Sequence, residues 1–518
     1  MHFVGHDTSV PEVVMRGSSA QSLVRLRRSP IESPSTGIEV TEIHLGDRGA
    51  PIPFVPPDLD RDGLRDLAVG TRTALGGQVC FLKNMGKTAS PHFVYQGEVA
   101  LESEAVTTLA AVDVILPAAP SEAWWLVALL VLVAFAFQGT RAIFEPDEGR
   151  YTATAVNMLE SGDWLVPTLD GERAHLTKPP MVYWTIAASI GAFGYNEWAA
   201  RLPGALAFIG TGLLLFGLGL RFCPSRPYLP AVTWSLSLAP IVGAHVVSTD
   251  SLLMLFETAA MYAFVEAWWR DGADRRRWLL GMWLCWGLAF LTKGPPGLLP
   301  LVAMIAFLAA HDRARLRGVF APGGLLLFAL VGFTWFGLII HQQPDRLGYF
   351  LGYEVYGRVF TAVHDRNAQW YGAFEVYLPV LLVGALPWTA LALKAAGGPA
   401  SAWRRLRQRI RERDRETLLL LYWFLVPLAV FFLARSRLQL YVLPLFVPLA
   451  LLTARTLAAW TWLDGRRLRM IAAVTAAVLL ALKGIAAYLP TDRDARRMAD
   501  QIRAAVDLEG VDEIAFID

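Results

Sequence analysis

Long apolar stretches dominate the chain from Trp124 almost to its end, whereas residues 1 to about 120 mix charge, proline and short alternating runs. A helix needs about 20 apolar residues to cross about 30 Å of hydrocarbon. Stretches near that length lie at 124–143, 199–221, 228–247, 251–269, 277–292, 295–310, 323–341, 377–394, 417–434, 440–460 and 468–489. The pattern predicts an all-α polytopic membrane protein with about 11 (11–13) transmembrane helices, preceded by a small β-rich segment.

Composition agrees with this class of protein. Hydrophobic residues make up 54% of the 518 residues and charged residues 18%, against about 45–50% and 25% in soluble domains. The mean hydropathy is +0.40. A net charge of +2 favours no nucleic-acid partner. The run 181–194 is too short to span, and it predicts a helix at the membrane interface.

Arginine-rich loops alternate with loops that lack such clusters. The basic loops are 221–226, 270–277, 313–317, 394–415 and 466–469. The positive-inside rule places them in the cytoplasm. The loops expected to face outward are 144–198, 248–250, 293–294, 342–376, 435–439 and 490–518. The alternation predicts a multi-pass membrane protein whose candidate chemistry lies on the outer face.

Ionisable residues stand at the helix ends of these outward loops. Asp147 and Glu148 follow the first span directly, within FEPDEGRY. A solvated helix end is an equally good interpretation of their position alone, but ionisable groups at membrane depth usually face a cavity. The other such residues are Lys178, Asp250, Lys293, Arg358, Arg435, Arg437 and Tyr441. Each alone is more often structural, yet cations beside carboxylates on one face indicate a bound anion and a base.

Several motifs in this region carry a resemblance to a known family. They are PDEGRY, LESGDWLVP, KPPMVYW and NEWAARLP within 144–222, then FLTKGPPGLL and RSRLQLYVLP. They resemble signatures of the aminoarabinose transferase and protein mannosyltransferase superfamily, and more closely the bacterial aminoarabinose transferase branch, which modifies lipid A. The resemblance implies a C-type glycosyltransferase fold and a donor sugar on undecaprenyl phosphate or a similar carrier. The acceptor would be lipid A, another envelope glycan or a protein.

The resemblance also implies roles for individual residues. Asp147 is the expected catalytic carboxylate, with Glu148 beside it and Asp250 as a second acidic position. Lys178, Arg358 and Tyr441 are expected to hold the donor phosphate. Further candidates are Arg201, Lys293, Arg435 and Arg437. Thr177 departs from the family, where glutamate often precedes the lysine, so a divalent cation at the active site is in doubt and no cofactor is predicted as required.

The chemistry is consistent with these roles. A lipid phosphate can leave if cations neutralise its developing charge, and the acceptor hydroxyl needs a carboxylate base within about 2.6–3.2 Å. A single displacement predicts inversion at the sugar carbon. A transporter or flippase of lipid-linked intermediates is the alternative, but transporters place charges near the midplane and often have repeated halves. Charges at the rim and no evident internal repeat favour the enzyme.

The segment before the spans contains a calcium-type loop. Its carboxylates follow the spacing of oxygen ligands, with Gly63 at the turn, and they are Asp58, Asp60, Asp62 and Asp66. The loop is no EF-hand, because Val69 stands where that motif has glutamate. The stretch resembles one integrin-like β-propeller repeat of the FG-GAP/VCBS type. A single blade cannot bury its faces, and the predicted topology puts it in the cytoplasm, so a miscounted span and a remnant or fused segment both stay open.

The pattern therefore predicts three parts. Residues 1–120 form a soluble segment in which one calcium-loop β-repeat is seen, and 121–490 form the transmembrane glycosyltransferase domain that the resemblance implies. Residues 491–518 are expected to begin an outward-facing α/β segment that is truncated. Within it, Arg493–Arg503 predicts an amphipathic helix and 511–517 a strand.

Overall fold

The computed structural model describes residues 120–505 apart from 145, 170–173, 269, 271, 358–366, 490 and 492–493, together with seven strands before residue 102. The chain divides into two compact units, residues 1–117 and 118–518. Each unit is described by itself.

The first unit contains one antiparallel sheet. Its strands are β1 (His2–Phe3), β2 (Val13–Arg16), β3 (Leu23–Arg28), β4 (Gly37–His44), β5 (Leu67–Thr73), β6 (Gly76–Asn84) and β7 (Phe93–Leu101). Their order in the sheet is β1-β2-β3-β4-β7-β6-β5. The calcium-type loop from Asp58 to Asp66 lies outside the described residues, so the calcium site and the integrin-like repeat stay predictions.

The second unit is helical throughout its described part. Its first helices are α1 (Pro120–Phe135), α2 (Asp147–Ser161), α3 (Met181–Phe193), α4 (Glu197–Phe222), α5 (Leu229–Ser235), α6 (Leu238–Ala244), α7 (Asp250–Trp268), α8 (Gly272–Lys293), α9 (Leu299–His311), α10 (Arg313–Val319), α11 (Pro322–Gln342) and α12 (Arg346–Gly348). The later ones are α13 (Gly372–Gly384), α14 (Trp388–Ala395), α15 (Pro399–Arg411), α16 (Arg415–Leu433), α17 (Phe446–Ala458), α18 (Gly465–Tyr488) and α19 (Ala495–Ala505). Short 3-10 turns at Pro295–Leu298 and Gln439–Leu445 precede α9 and α17, and a π-helical segment spans Tyr349–Gly357.

Within the described residues, five helical stretches are long and apolar enough to cross a membrane. They are α4, α11, α16, Gln439–Ala458 and α18. A sixth arises if α13 and α14, which meet at a bend of 74°, count as one span. The predicted eleven stretches all contain helices, but the others are shorter, interrupted or more charged, so the count of eleven stays an interpretation.

The predicted span 228–247 is an example of an interrupted stretch. It consists of α5 and α6 with a break between them. The indole of Trp388 donates to the carbonyl of Leu236 in that break at 2.9 Å. Irregular backbone at membrane depth is tolerated only where the protein itself satisfies it. The contact therefore explains how two short helices replace one predicted helix.

The core of this unit is a continuous apolar cluster between the long helices. Its largest fully buried side chains include Trp234, Trp286, Trp388 and Trp423. The helix predicted at 181–194 is present as α3, which packs against α2 in a smaller cluster, and its place at the membrane interface stays a prediction. The core fixes the helix ends that carry the charged residues described next.

Two helix ends are set by local sequence signals. The side chain of Asn196 accepts a hydrogen bond from the amide of Ala199 at 2.8 Å and caps α4. Helix α8 ends at Lys293 because Gly294 adopts φ 70° and a Pro-Pro pair follows, neither of which continues a helix. Lys293 is thereby held at the very end of α8. The strand predicted at 511–517 lies outside the described residues.

Candidate active site

A buried ion-paired centre lies where α2 begins. Glu148 is 2% exposed. Arg141 donates to both of its carboxylate oxygens at 2.9 Å, and Arg201 donates to Oε2 at 3.0 Å. The backbone amides of Phe144 and Val247 donate at 2.8 and 2.9 Å. Burial raises the pKa of the Glu148 carboxyl, but Arg201 and Arg141 outweigh burial and hold that pKa below its ordinary value. The carboxylate is saturated and ties α2 to α4 and to two further segments.

Asp147 is in a different environment although it is the adjacent residue. Its side chain is 69% exposed and pairs with Arg150 one turn later. As the first residue of α2, it also sits at the positive end of the helix dipole. An exposed carboxylate can accept a proton from an incoming acceptor group. The Glu148 carboxylate is enclosed, so such a group cannot reach it.

Tyr151 links Asp147 to residues that are distant in sequence. Burial raises the pKa of its phenol well above the ordinary value, and Tyr183, Asp250, Asp147 and Tyr441 raise it further. The Tyr151 ring centroid lies 5.9 Å from that of Tyr183. Three residues that the sequence singled out, Asp147, Asp250 and Tyr441, thus act electrostatically on this one phenol.

Asp250 and Lys293 form a second buried ion pair. Asp250 begins α7 and Lys293 ends α8, so the contact joins the two helices at one end. The two side chains are 8% and 7% exposed. The Lys293 ammonium also lies 4.4 Å from the ring centroid of Tyr441, a cation–π contact.

A cavity of about 480 Å³ adjoins this pair. Its walls are mainly apolar, with aromatic rings from α8, α11 and α16 such as Phe290, Phe336 and Trp423. The polar residues that line it are Thr177, Lys178, Glu257, Lys293, Glu354, Ser436 and Tyr441. A mainly apolar cleft with a few polar groups is the usual form of a small-molecule site.

Lys178 lies on the wall contributed by the segment before α3. Thr177 Oγ1 is 3.0 Å from His175 Nε2 in the same segment. Burial lowers the pKa of His175, and the charges of Arg150 and Lys178 lower it further, while Glu354 acts in the opposite direction. The His175 ring lies 6.4 Å from the Tyr183 ring, which lies 5.9 Å from the Tyr151 ring. Tyr183 thereby connects the first turns of α2 with the segment that carries Lys178.

Glu257 is a cavity residue that the sequence analysis did not single out. It is 3% exposed, and in the described part of the chain no hydrogen bond or ion pair is recorded for it. It follows Asp250 by seven residues, which is two helical turns, so both carboxylates lie on one face of α7. The sequence signal for Glu257 was a single glutamate in the apolar run LLMLFETAAM, two helical turns after the candidate residue Asp250.

Three of the remaining predicted cations, Arg201, Arg435 and Arg437, do not line the cavity. Arg437 is 4% exposed and donates to the carbonyls of Asn367 and Gln369 at 2.7 and 2.6 Å, which fixes the loop before α13. Arg435 is exposed. Arg201 lies in the Glu148 centre. Arg358 falls outside the described residues.

The sequence leaves a divalent cation in doubt, because Thr177 precedes Lys178. Among the side chains that it describes, no three His, Cys, Asp or Glu residues are grouped as a metal site requires. Thr177, which stands where relatives often have glutamate, contacts His175 instead. A divalent cation at the active site therefore stays an open expectation, and no chemical step is assigned to one.

Known proteins with similar sequences cover most of the second unit. Residues 177–337 match the family described as dolichyl-phosphate-mannose-protein mannosyltransferase. The undecaprenyl phosphate-alpha-4-amino-4-deoxy-L-arabinose arabinosyl transferase of Aeromonas hydrophila is 32% identical over 390 residues, 71% of this chain and 68% of the relative. Transferase 2 of the same name from Sodalis glossinidius is 32% identical over 382 residues, 70% of this chain and 65% of the relative.

A solved structure agrees with these relatives. ArnT from Cupriavidus metallidurans, bound to undecaprenyl phosphate, superimposes with a TM-score of 0.57 at 26% identity, covering 74% of this chain and 68% of that one. The fold and the site thus define a multi-pass membrane protein with a mainly apolar, ligand-sized cavity. The chain belongs to the undecaprenyl phosphate-aminoarabinose arabinosyl transferase family. It spans 65% of the length of the Sodalis relative and 61% of an Edwardsiella ictaluri relative.

Proposed function

We propose that this chain is a membrane glycosyltransferase that moves a sugar from a polyisoprenyl phosphate to an acceptor hydroxyl or phosphate. The observation that carries the proposal is the apolar cavity that has Lys178, Lys293 and Tyr441 on its walls. A polyisoprenyl phosphate has a long apolar tail and an anionic head, and such a cavity matches both. The names of the relatives and the ligand of the structural neighbour are consistent with an undecaprenyl phosphate carrier.

The donor phosphate is proposed to bind between the lysines. Lys178 and Lys293 supply positive charge, the Tyr441 hydroxyl supplies a hydrogen bond, and Arg358 is assigned to the same role from the family resemblance. Asp250 holds the Lys293 ammonium in place when the site is empty. Oriented cations stabilise the leaving phosphate as its charge develops.

Asp147 is proposed as the general base. The acceptor oxygen attacks the anomeric carbon and forms the new glycosidic bond, while the bond between that carbon and the phosphate oxygen breaks. The bonding electrons leave with the phosphate, and the acceptor proton passes to Asp147. A single displacement of this kind inverts the anomeric centre. The exposure of Asp147 beside Tyr151 and Arg150 supports this role over one for Glu148.

The site is proposed to face the exterior of the bacterial cytoplasmic membrane. The arginine-rich loops support this orientation by the positive-inside rule, and eleven spans would keep the alternation of the loops. The acceptor is proposed to be lipid A, another envelope glycan or a protein. Aminoarabinose is the first sugar to test, since it is the sugar in the relatives' names.

Transfer of radiolabelled sugar from undecaprenyl phosphate to isolated lipid A and protein acceptors tests the function. The purified wild-type chain should transfer sugar, and Lys178→Ala should lose at least about tenfold, as removal of a phosphate-holding cation costs. Lys394→Ala, which changes a lysine outside the cavity, is the matched control and should keep full activity. If neither the wild type nor Lys394→Ala transfers sugar from any polyisoprenyl phosphate, the proposed function is wrong.

Cysteine labelling tests the orientation. In a background without the three native cysteines, Asp365→Cys should react with an impermeant maleimide added outside intact cells. Arg407→Cys should react only after the membrane is opened. Labelling of both positions from the same side would contradict the proposed topology.

A further inference from the structure

Helix α15 (Pro399–Arg411) has two unlike faces. At 100° per residue, Trp403, Leu406 and Ile410 fall on one narrow apolar stripe. The arginines occupy the flanks and the opposite side, and they are Arg404, Arg405, Arg407, Arg409 and Arg411. Arg407 and Arg409 lie directly on either side of the stripe.

Two of the three residues of the apolar stripe are exposed, and Leu406 between them is partly buried. Trp403 is 61% exposed and Ile410 is 39% exposed. Helices of globular proteins bury such a stripe against a core. An exposed stripe that includes a tryptophan is instead typical of a helix that lies in a membrane interface.

The arginines of α15 are not held in ion pairs, although the charge of Arg409 acts on the nearby Asp414 carboxylate. In the described part of the chain, none of the five forms an ion pair. The guanidinium of Arg404 donates a hydrogen bond to the Ser401 hydroxyl at 3.1 Å. Nearby arginines behave differently, since Arg455 pairs with Asp414 at 3.0 Å. The helix thus combines an open apolar stripe with guanidinium groups available to an external anion.

The position of α15 supplies the third observation. It lies between the bent pair of α13 and α14 and the candidate span α16. A helix that connects two membrane-crossing segments starts and ends at the edge of the hydrocarbon. An apolar stripe there can reach the acyl chains while the long arginine side chains reach the headgroups.

We propose that α15 lies flat in the headgroup layer of the membrane and binds anionic glycerophospholipids. Trp403, Leu406 and Ile410 insert at the acyl boundary, and the flanking arginines donate to lipid phosphates in charge-assisted hydrogen bonds. The apolar stripe favours a lipid surface over a soluble polyanion, which would leave Trp403 in water. This inference does not depend on the proposed transferase activity.

Lipid binding by the full chain tests the proposal. The protein is placed in phosphatidylcholine bilayers, and its preference for spin-labelled phosphatidylglycerol is measured by electron spin resonance. Because a basic residue near an anionic surface contributes enough for about a fivefold change in affinity, R404Q/R405Q/R407Q should weaken the preference at least tenfold. The preference should also fall as salt is raised.

Two variants separate this site from charge in general. R275Q/R276Q/R277Q removes the same charge from the start of α8 and should leave most of the preference intact. R404K/R405K/R407K keeps the charge and should retain binding, which shows that the fold tolerates substitution. An unchanged preference in the first triple, or an equal loss in the α8 triple, would overturn the proposal.

Insertion of the stripe is measured separately. Brominated phosphatidylcholine should quench less tryptophan fluorescence in Trp403→Phe than in the wild type. The difference should equal the quenched fluorescence of one tryptophan. Equal quenching in the two proteins would mean that residue 403 is not in the bilayer. Protection of residue 403 by RNA, and not by lipid, would assign the surface to a polyanion instead.

Discussion

Two buried ion-paired centres lie close to each other in the helical unit, and they differ in what they leave open. Glu148 is enclosed by Arg141, Arg201 and two backbone amides. Asp250 has Lys293 as its ion-pair partner, and that lysine lines a cavity of about 480 Å³. Both carboxylate oxygens of Glu148 already accept hydrogen bonds from protein groups. In the second centre, Lys293 faces a cavity large enough for a ligand.

Access to a cavity distinguishes a structural ion pair from a functional one more clearly than burial does. Both carboxylates are almost fully buried. A saturated buried carboxylate joins segments and is costly to break, whereas a cation that both pairs with a carboxylate and faces a cavity can exchange partners when an anion arrives. We therefore expect changes in the first centre to alter stability and changes near the second to alter function.

Glu148→Gln should have the largest effect. The change removes the charge that compensates Arg201, which is itself 2% exposed. Loss of one partner from a buried pair costs about 3–5 kcal/mol, so we expect the free energy of unfolding in detergent to fall by about that amount. Asp147→Asn, at the adjacent exposed position, should change it by less than about 0.5 kcal/mol. Equal losses in the two variants would show that the centres do not differ as described.

Asp147→Asn should instead abolish most of the transfer. A positioned general base contributes about 10²–10⁴-fold to rate, so sugar transfer should slow by at least about 100-fold while donor binding stays within about twofold. Glu160→Gln, another exposed acid on α2, is the control and should transfer normally. A variant at 147 that keeps full transfer would remove Asp147 from the mechanism.

Lys293→Met should weaken donor binding rather than fold stability alone. The variant removes one of the cations from the cavity wall, and we expect affinity for undecaprenyl phosphate to fall about tenfold, as for a hydrogen bond to a charged group. Lys293→Arg keeps the charge and should recover part of the affinity. Direct binding of labelled carrier measures this, and an unchanged affinity in Lys293→Met would place the phosphate elsewhere.

The sequence predicted the helical class and several members of the site for a physical reason. Apolar runs and helix-end charges are local features, and Asp147, Asp250, Lys178 and Lys293 all stand at or beside a helix end. Their convergence could be anticipated only because orientation placed those ends on one side. The seven-residue spacing of Glu257 from Asp250 was readable as well, but its burial depends on packing.

Packing also explains what the sequence could not provide. Nothing local distinguishes Asp147 from Glu148, yet one is exposed and the other is enclosed by residues up to 99 positions away. The break between α5 and α6 depends in the same way on Trp388, 152 residues from the carbonyl it binds. Contacts of this range are set by the tertiary fold.

His175→Gln should have the smallest effect, visible only as a pH dependence. Burial and the nearby Arg150 and Lys178 lower the pKa of His175 from its ordinary 6.5. The unfolded chain then binds a proton more readily than the folded one, so wild-type stability should fall as pH drops below about 6.5 and level off below the folded-state pKa. Unfolding in detergent at pH 7.5 and 5.5 should show a smaller difference in His175→Gln than in the wild type. His341→Gln changes a histidine outside the cavity and is the control. An identical pH response in the wild type and His175→Gln would mean that Arg150 and Lys178 are not close to the imidazole.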